Sequence, residues 1–197
     1  MRIEELSIAD AYVITPVVHG DPRGMFTEWL RGDKLAEVTG RPFEVVQANH
    51  SVSARGVVRG VHLADVPPGQ AKYVYCPSGA VLDVVVDVRV GSPTFGRVET
   101  VVLDDQDRRA VFLAEGLGHA FCSLRDASAV TYLVSTAYDP SIERTVSPLD
   151  PDLGLPWPDD IGELTLSDKD TSGPTLAHAS AQGMLPSYDA CVAFYRR

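Results

Sequence analysis

Three side chains that can carry a positive charge lie close together in one valine-rich stretch of the chain. In "RGVVRGVHLADVPPGQAKYVYC", residues 55–76, these are Arg59, His62 and Lys72. Burying a cation without a partner is costly, so the three either face solvent or surround an anionic ligand. A histidine in such a group can also serve as a base, because its unperturbed pKa of about 6.5 suits proton abstraction near neutral pH.

A row of uncharged polar side chains precedes this stretch. In "FEVVQANHS" (43–51), Gln47, Asn49 and Ser51 share one face of the predicted strand, since side chains alternate between faces. Such a row belongs either to a solvent-facing surface or to a barrel interior that binds a polar ligand, a common place for ligand sites.

The spacing of Arg59 and His62 sets a condition on the backbone. They are three residues apart, so a regular strand would point them to opposite faces, and only a bulge at Gly60 lets both line one pocket. Lys72 begins the next strand after the turn "DVPPGQ". If these two strands pair as a hairpin, Lys72 comes within reach of His62.

The elements that must position these side chains are mostly short strands. Eight Val-, Tyr-, Phe- and Thr-rich segments are separated by Gly, Pro, Asp and Ser turns, at 43–51, 56–63, 72–76, 80–90, 96–103, 109–113, 119–124 and 129–138. In the segment 80–90, Asp83, Asp87 and Arg89 alternate with valines, which predicts one buried face. The pattern predicts an all-β fold, a sandwich or jelly-roll barrel rather than parallel βαβ units.

Helices are predicted at two places. "GDKLAEVTG" (32–40) has Asp33 as a candidate cap and Gly40 as a stop signal, and "PTLAHASAQGML" (174–185) forms a C-terminal helical segment with Pro174 near its first turn. Residues 186–197 show no assignable pattern. We expect a single domain over 1–197, with the barrel core at about 43–140 and the C-terminal loop and helices at about 150–197.

Composition narrows the class of protein. The chain has 197 residues, 45% of them hydrophobic, and a formal net charge of −10. That charge argues against nucleic acid or an anionic membrane as the partner. Three scattered cysteines predict neither a disulfide framework nor a zinc site. With no apolar run of membrane-spanning length and no leader pattern, we expect a cytoplasmic protein.

Two histidine-bearing segments are similar to the motifs of cupin barrels. They are "RGVH", with His62, and "AEGLGHAF", with His119. A metal-binding cupin has a second histidine two residues after the first, where this chain has Ala64. Three protein ligands are the usual minimum for a catalytic metal, so we expect a cupin-like jelly-roll barrel without a metal.

The chain as a whole resembles the RmlC-like family of dTDP-4-dehydrorhamnose 3,5-epimerases and their relatives in antibiotic deoxysugar pathways. The matching segments occur in the family's order: "DPRGMFTE", "QANHSVSARGVVRGVH", "PPGQAKYVYC", "DVVVDVRVGSPTFG", "GLGHAF", "TYLVSTAYDPSIE", "DPDLGLPWP" and "LSDKD". The resemblance covers most of residues 15–170. It implies a jelly-roll homodimer that epimerises a dTDP-4-keto-6-deoxyhexose such as dTDP-4-keto-6-deoxyglucose. It also implies that no metal and no organic cofactor take part.

The resemblance also implies roles for individual residues. His62 matches the catalytic base, Asp170 the carboxylate paired with it, Tyr132 the acid on the opposite face of the sugar, and Lys72 the group near the C4 oxygen. Substrate-binding positions are implied for Arg59, His119 and Arg23 at the pyrophosphate, Gln47, Asn49 and Ser51 along the nucleotide or sugar, Phe26 and Glu28 at the thymine end, and Tyr138 and Glu143. Family members often supply the stacking aromatic, here Phe26, from the partner subunit.

The sequence departs from the common 3,5-epimerase pattern beside the base. "RGVHLAD" has Leu63 and Ala64 where an aromatic residue followed by Gln is usual, and Ala120 stands where Gly is usual. These changes favour an antibiotic-sugar enzyme that inverts C3 alone, with a 3,5-double epimerase or a 5-epimerase as alternatives. A metal-dependent cupin and a non-catalytic sugar-binding cupin are the alternatives from other classes.

Overall fold

The computed structural model describes residues 1–196 and shows two antiparallel sheets that face each other. The six-stranded sheet has the order β1-β2-β10-β7-β12-β5, and the five-stranded sheet the order β13-β6-β11-β8-β9. A separate hairpin joins β3 and β4. The strands are β1 (Arg2–Glu5), β2 (Ala11–Thr15), β3 (Val18–Asp21), β4 (Gly24–Thr27), β5 (Gln47–Ser53), β6 (Val58–Ala64), β7 (Lys72–Ser78), β8 (Ala80–Val86), β9 (Val98–Asp104), β10 (Ala110–Leu113), β11 (Gly118–Ser123), β12 (Ser128–Val134) and β13 (Glu143–Thr145).

The predicted all-β jelly roll is confirmed, as two open sheets rather than a closed barrel. Side chains from both sheets share one apolar core, which includes Val74, Val111, Val85 and Phe121. Two strands that precede residue 43, β1 and β2, belong to the six-stranded sheet. Arg197, the last residue of the predicted domain, lies outside the described residues.

Both sheets are also covered on their outer faces, and this explains the long valine runs. Leu153, Leu155 and Leu176 of the C-terminal segment pack on the five-stranded sheet, while Leu35 and Trp29 pack on the six-stranded sheet. A strand covered on both sides carries apolar residues at successive positions instead of alternating them.

The expectation of one buried face for residues 80–90 understates the burial. Asp83, Asp87 and Arg89 are at most 1% exposed, and so are the intervening valines. The polar side chains are tolerated because each has an ionic partner: Asp83 pairs with His119, and Arg89 pairs with Asp87 and Asp10.

The helices are short: α1 (Gly32–Thr39), α2 (Asp168–Thr171), α3 (Leu176–Ala181) and α4 (Tyr188–Tyr195), with a 3₁₀ turn at Asp159–Ile161. Gly40 ends α1 as predicted, with φ of 75° and its N–H donating to the Ala36 carbonyl. Asp33 is not the cap, because the helix begins one residue earlier and Asp33 instead binds Arg31.

The C-terminal region differs most from the prediction. The helix expected over 174–185 is limited to α3, which Thr175 caps. A further helix, α4, forms where no pattern was assigned. Among residues 1–196, no helix is long and apolar enough to cross a membrane.

Candidate active site

A cavity of about 320 Å³ opens between the two sheets and collects most of the polar residues singled out in the sequence. The five-stranded sheet contributes Arg59, His62, His119, Phe121 and Glu143, the six-stranded sheet contributes Gln47, Asn49, Ser51, Lys72 and Tyr132, and connecting segments add Gln70, Tyr138, Ser167, Lys169 and Asp170. The lining therefore joins a histidine, a buried lysine, a phenol and several hydrogen-bonding groups, as expected of a site for a polar, anionic ligand.

A bulge at Gly60 brings Arg59 and His62 to the same cavity, which meets the condition that their spacing set. His119 pairs with His62, and Phe121 pairs with Arg59, so two steps along β11 correspond to three along β6. Gly60 has φ of 116°, and a Cβ there would lie 2.5 Å from the His119 carbonyl oxygen. Only glycine fits this close approach in this conformation.

The imidazole of His62 is held by a buried carboxylate. Its Nε2 lies 2.7 Å from Asp170 Oδ1. An ionised carboxylate only accepts hydrogen bonds, so Nε2 carries the proton and the lone pair of the neutral ring is at Nδ1. Burial lowers the pKa of His62 below its ordinary value, against the opposing effect of Asp170. The ring is thus neutral at neutral pH and able to accept a proton.

The short helix α2 delivers Asp170 to this position. Ser167 caps the helix by accepting from the Asp170 N–H, and Thr165 pairs with Val57 just before β6. Burial would raise the pKa of Asp170, but hydrogen bonds from His62, Ser167 and the Gly60 N–H hold it below its ordinary range. The bulge at Gly60 therefore serves both His62 and its carboxylate partner.

Lys72 reaches the cavity from the opposite sheet. The expected hairpin between its strand and that of His62 is wrong, because β6 and β7 lie in different sheets and residues 65–71 cross between them. Lys72 Nζ still approaches His62, and it donates to the His62 carbonyl oxygen at 3.3 Å. Burial lowers the pKa of Lys72 to about 8, while Glu143 and Asp83 act to raise it and Lys169 to lower it.

Tyr132 also comes from the six-stranded sheet, facing the His62 wall. Its neighbours across the ladders are Asn49 on β5 and Val74 on β7. Burial and the charge of Glu143 raise the pKa of Tyr132, with a smaller opposing effect of Arg59. Tyr132 therefore remains a protonated phenol that can donate.

The polar row of β5 lines the cavity, so the solvent-facing alternative does not hold. Gln47 Nε2 donates to Asn49 Oδ1 at 2.7 Å, and Gln47 Oε1 accepts from the Tyr138 N–H at 3.0 Å. Ser51 Oγ is buried with no hydrogen-bond partner within the described residues. Arg59 is steadied by Ser53 Oγ, which accepts from its Nε at 3.3 Å.

A second imidazole–carboxylate pair lies in the same cavity wall. His119 Nε2 is 2.7 Å from Asp83 Oδ2, and Asp83 is 1% exposed. Sequence reasoning missed Asp83, although its place in a valine run was a usable signal for a buried, partnered acid. It also missed four other cavity residues, Gln70, Phe121, Ser167 and Lys169.

Three predicted binding residues do not line the cavity of their own chain. Arg23 and Phe26 lie on the β3–β4 hairpin, and Glu28 follows it. The Arg23 side chain is 90% exposed and bound to Asp21, Phe26 is 66% exposed, and Glu28 contacts Arg31. Tyr138 and Glu143, in contrast, line the cavity.

No metal-binding cluster of three or more His, Cys, Asp or Glu side chains occurs within residues 1–196. The position where metal-binding cupins carry a second histidine is Ala64, which is buried.

The fold and the cavity correspond to a known class of protein. The model of the dTDP-4-dehydrorhamnose 3,5-epimerase family matches residues 5–178. A dTDP-4-dehydrorhamnose 3,5-epimerase of Mycolicibacterium smegmatis is 56% identical over 194 residues, covering 98% of this chain and 95% of the relative.

Two solved structures show the same architecture. The rmlC epimerase of Mycobacterium tuberculosis superposes with a TM-score of 0.97 at 47% identity, covering 100% of this chain and 98% of the other. ChmJ, a 3'-monoepimerase from Streptomyces bikiniensis in complex with dTDP-quinovose, superposes with a TM-score of 0.94 at 52% identity, covering 97% and 96%. The chain belongs to the dTDP-4-dehydrorhamnose 3,5-epimerase family and is an isomerase of the nucleotide-sugar epimerase class.

Proposed function

We propose that the protein epimerises a dTDP-4-keto-6-deoxyhexose and that it inverts C3 alone. One observation carries the proposal: a neutral, carboxylate-bound imidazole and a protonated phenol enter one cavity from opposite sheets. Inversion of a carbon centre needs a base on one face and a proton donor on the other.

The reaction begins with proton abstraction next to the C4 ketone. His62 takes the proton from C3 at Nδ1. The electron pair of the C–H bond forms the C3–C4 double bond, and the π pair of the carbonyl moves to the C4 oxygen to give an enolate. Asp170 orients the ring and stabilises the imidazolium that results, as the carboxylate does in His–Asp pairs of hydrolases. The Lys72 ammonium stabilises the enolate oxygen, a contribution of about 3–4 kcal/mol by analogy with oxyanion holes.

Reprotonation completes the inversion. Tyr132 gives its phenolic proton to C3 on the face opposite His62, and the ketone reforms. His62 then returns its proton to solvent, and the phenolate recovers one. The raised pKa of Tyr132 makes the phenolate short-lived, which favours its return to the neutral acid.

The rest of the cavity serves the nucleotide. Arg59 and His119 bind the pyrophosphate by charge-assisted hydrogen bonds. Gln47, Asn49 and Ser51 line the nucleotide or sugar, and Tyr138 and Glu143 complete the binding set. The unpartnered Ser51 Oγ supports this role, because a ligand would supply its missing hydrogen bond.

The active unit is a homodimer. Phe26 and Glu28 act at the thymine end of the partner's cavity, and Arg23 of the same hairpin acts at the pyrophosphate bound there. Two features support this arrangement: these residues do not line their own cavity, and the hairpin exposes Val18, Met25 and Phe26. Exposed apolar patches of this kind mark interaction sites.

Restriction to C3 is attributed to the segment after His62. Neither Leu63 nor Ala64 lines the cavity, but Ala64 lies directly across the ladder from Glu143, which does. A change at position 64 therefore alters the cavity through Glu143. Inverting both centres requires the ring to be repositioned between proton transfers, and a misplacement of about 1 Å costs on the order of a hundredfold in rate.

The stereochemistry of the product tests the C3 assignment. The protein is incubated with dTDP-4-keto-6-deoxyglucose, and the product is trapped by a 4-ketoreductase. A 6-deoxy-allose-type product is expected. A rhamnose-type product would show that both centres are inverted, in favour of the double-epimerase alternative.

A further inference from the structure

A buried carboxylate behind the cavity is linked to the strand that carries Lys72. Glu115 is 3% exposed and does not line the cavity. Its Oε1 accepts hydrogen bonds from Arg41 Nη1 and from Ser135 Oγ, both at 3.2 Å, and its Oε2 binds Arg41 Nη2. A charge this buried is maintained by its partners, so the three side chains form one unit.

Ser135 ties this carboxylate to the residue before Lys72. The Ala71 N–H donates to Ser135 Oγ at 2.9 Å, and the Ser135 N–H donates to the Ala71 carbonyl at 3.1 Å. Lys72 is the next residue and pairs with Val134 on β12. Through Ser135, the Glu115 carboxylate is therefore connected to the backbone from which the Lys72 side chain enters the cavity.

The same carboxylate side chain packs against the chain just upstream of Lys72. Gly69 has φ of 68°, and a Cβ there would lie 2.5 Å from Glu115 Cβ, so the two residues are in direct contact. On the far side, Tyr195 of α4 donates to the Glu115 carbonyl, and Arg41 lies 4.7 Å over the Tyr195 ring. Helix α4 thus packs against Glu115 and Arg41 through Tyr195.

We propose that Glu115, acting through Ser135 on the Ala71 backbone, is a positioning residue for Lys72. The inference rests on the proposed function, in which Lys72 stabilises the enolate oxygen. Within residues 1–196 the Lys72 ammonium donates one hydrogen bond, to the His62 carbonyl at 3.3 Å. The location of the ammonium therefore depends on where its backbone is held.

The test compares two serines, Ser135 and Ser92, whose hydroxyl groups each donate a hydrogen bond to a buried carboxylate. Ser135→Ala removes the hydroxyl that joins Glu115 to Ala71. Ser92→Ala is the matched control, because the Ser92 hydroxyl donates to another buried carboxylate, that of Asp87, at 2.6 Å. Ser92 is buried whereas Ser135 is half-buried, and neither serine lines the cavity. Ser135→Thr restores a hydroxyl at the tested position.

We expect Ser135→Ala to lower kcat for deuterium exchange at C3 about tenfold to a hundredfold. The Kd for dTDP should change less than about threefold, because the nucleotide contacts are on Arg59 and β5. Ser92→Ala should leave kcat unchanged, and Ser135→Thr should regain most of it. If Ser135→Ala does not fold, Glu115→Gln is measured in its place, with the same expected loss.

A second readout does not depend on turnover. The Lys72 side chain is titrated by NMR in the wild type and both Ser→Ala variants. Lys72 faces Glu143 on β13, Asp83 on β8, Lys169 on α2 and the His62 carbonyl on β6, and burial lowers its pKa to about 8. Displacement toward water should raise that pKa toward its ordinary value in Ser135→Ala and leave it unchanged in Ser92→Ala.

The outcomes separate the two proposals. A wild type that exchanges no hydrogen of a dTDP-keto sugar refutes the proposed function, and the Lys72 titration still decides the positioning role. An unchanged Lys72 titration with unchanged kcat in Ser135→Ala overturns the positioning role. A loss of kcat that Ser92→Ala reproduces also overturns it.

Discussion

His62 and Lys72 illustrate how burial sets the chemistry of single side chains. The two lie on facing sheets, and burial lowers the pKa of both. For His62 the shift favours the neutral base, whereas for Lys72 it brings the loss of the ammonium charge close to neutral pH. Burial therefore keeps His62 neutral, and it also limits the pH range over which Lys72 carries its positive charge.

Replacing the base is the sharpest change at a single residue. His62→Asn should lower the rate of deuterium exchange by about 10²–10⁴-fold, the usual contribution of a positioned base. The Kd for dTDP should stay within about threefold, since the proposal assigns nucleotide binding to Arg59 and β5. Exchange kinetics and calorimetry measure the two effects.

His50→Asn is the matched control for this variant. His50 lies on β5, is exposed and contacts Thr131 outside the cavity lining. It should retain full activity. Near-normal turnover of His62→Asn would remove His62 from the mechanism.

The pH dependence of kcat should be bell-shaped. His62 must be neutral, and its lowered pKa puts the acid limb below pH 6.5. Lys72 must be protonated, so activity should fall as pH rises through about 8. Lys72→Met should lower kcat about 10²–10³-fold and abolish the alkaline limb. An alkaline limb that persists in Lys72→Met would assign it to another group.

At the scale of elements, the site depends on a few irregular pieces of backbone. The bulge at Gly60 places Arg59 and His62 in one cavity, and its N–H also stabilises the Asp170 carboxylate. Helix α2 has only four residues, yet it supplies the carboxylate partner of the base. The bulge and the capped helix thus position His62 and Asp170, whereas Lys72 and Tyr132 extend from the strands β7 and β12.

Gly60→Ala should destabilise the fold more than an alanine at a comparable glycine. Gly60 combines a positive φ with a Cβ position 2.5 Å from the His119 oxygen. In Gly60→Ala, backbone strain of about 1–3 kcal/mol and crowding of about 1–3 kcal/mol together lower the free energy of unfolding. Gly91→Ala, with φ of 87° and open space at its Cβ, should show the strain alone. Denaturant unfolding measures both, and equal losses would contradict the close packing.

The bulge and the polar row of β5 were predictable because both follow from local spacing. A three-residue offset with a glycine between Arg59 and His62 allows few other solutions if both face one ligand. The pairing of β7 was not predictable, because the turn "DVPPGQ" permits either a hairpin or a crossing between sheets. Local sequence does not distinguish these.

The partners of the buried charges were also beyond local patterns. Arg89 is buried because Asp10, 79 residues away in the chain, completes its ion pairs with Asp87. Helix α4 gave no clear signal, and its contacts with Glu115 and Arg89 also join residues that are far apart in sequence. Alternation identifies a face, but it does not reveal which partner will cover that face.

For the molecule as a whole, the proposed homodimer makes a prediction about the β3–β4 hairpin, whose Phe26 is 66% exposed. Phe26→Ala should weaken dTDP binding about fivefold to a hundredfold, since stacking on a base is worth about 1–3 kcal/mol. Phe95→Ala, another exposed aromatic outside the cavity lining, is the control. Binding is measured by calorimetry.

Light scattering tests the proposed homodimer by measuring the mass of the protein in solution. The wild type should have the mass of two chains. A monomer with full dTDP affinity, or an unchanged affinity in Phe26→Ala, would contradict the shared site.

The central claim is that the cavity abstracts and returns a proton beside the C4 ketone. The direct measurement is incubation with dTDP-4-keto-6-deoxyglucose in D₂O, with C3 and C5 read by NMR. The account predicts deuterium at C3, with little or none at C5, and loss of the exchange in His62→Asn. Exchange at neither carbon by the wild type would contradict the account.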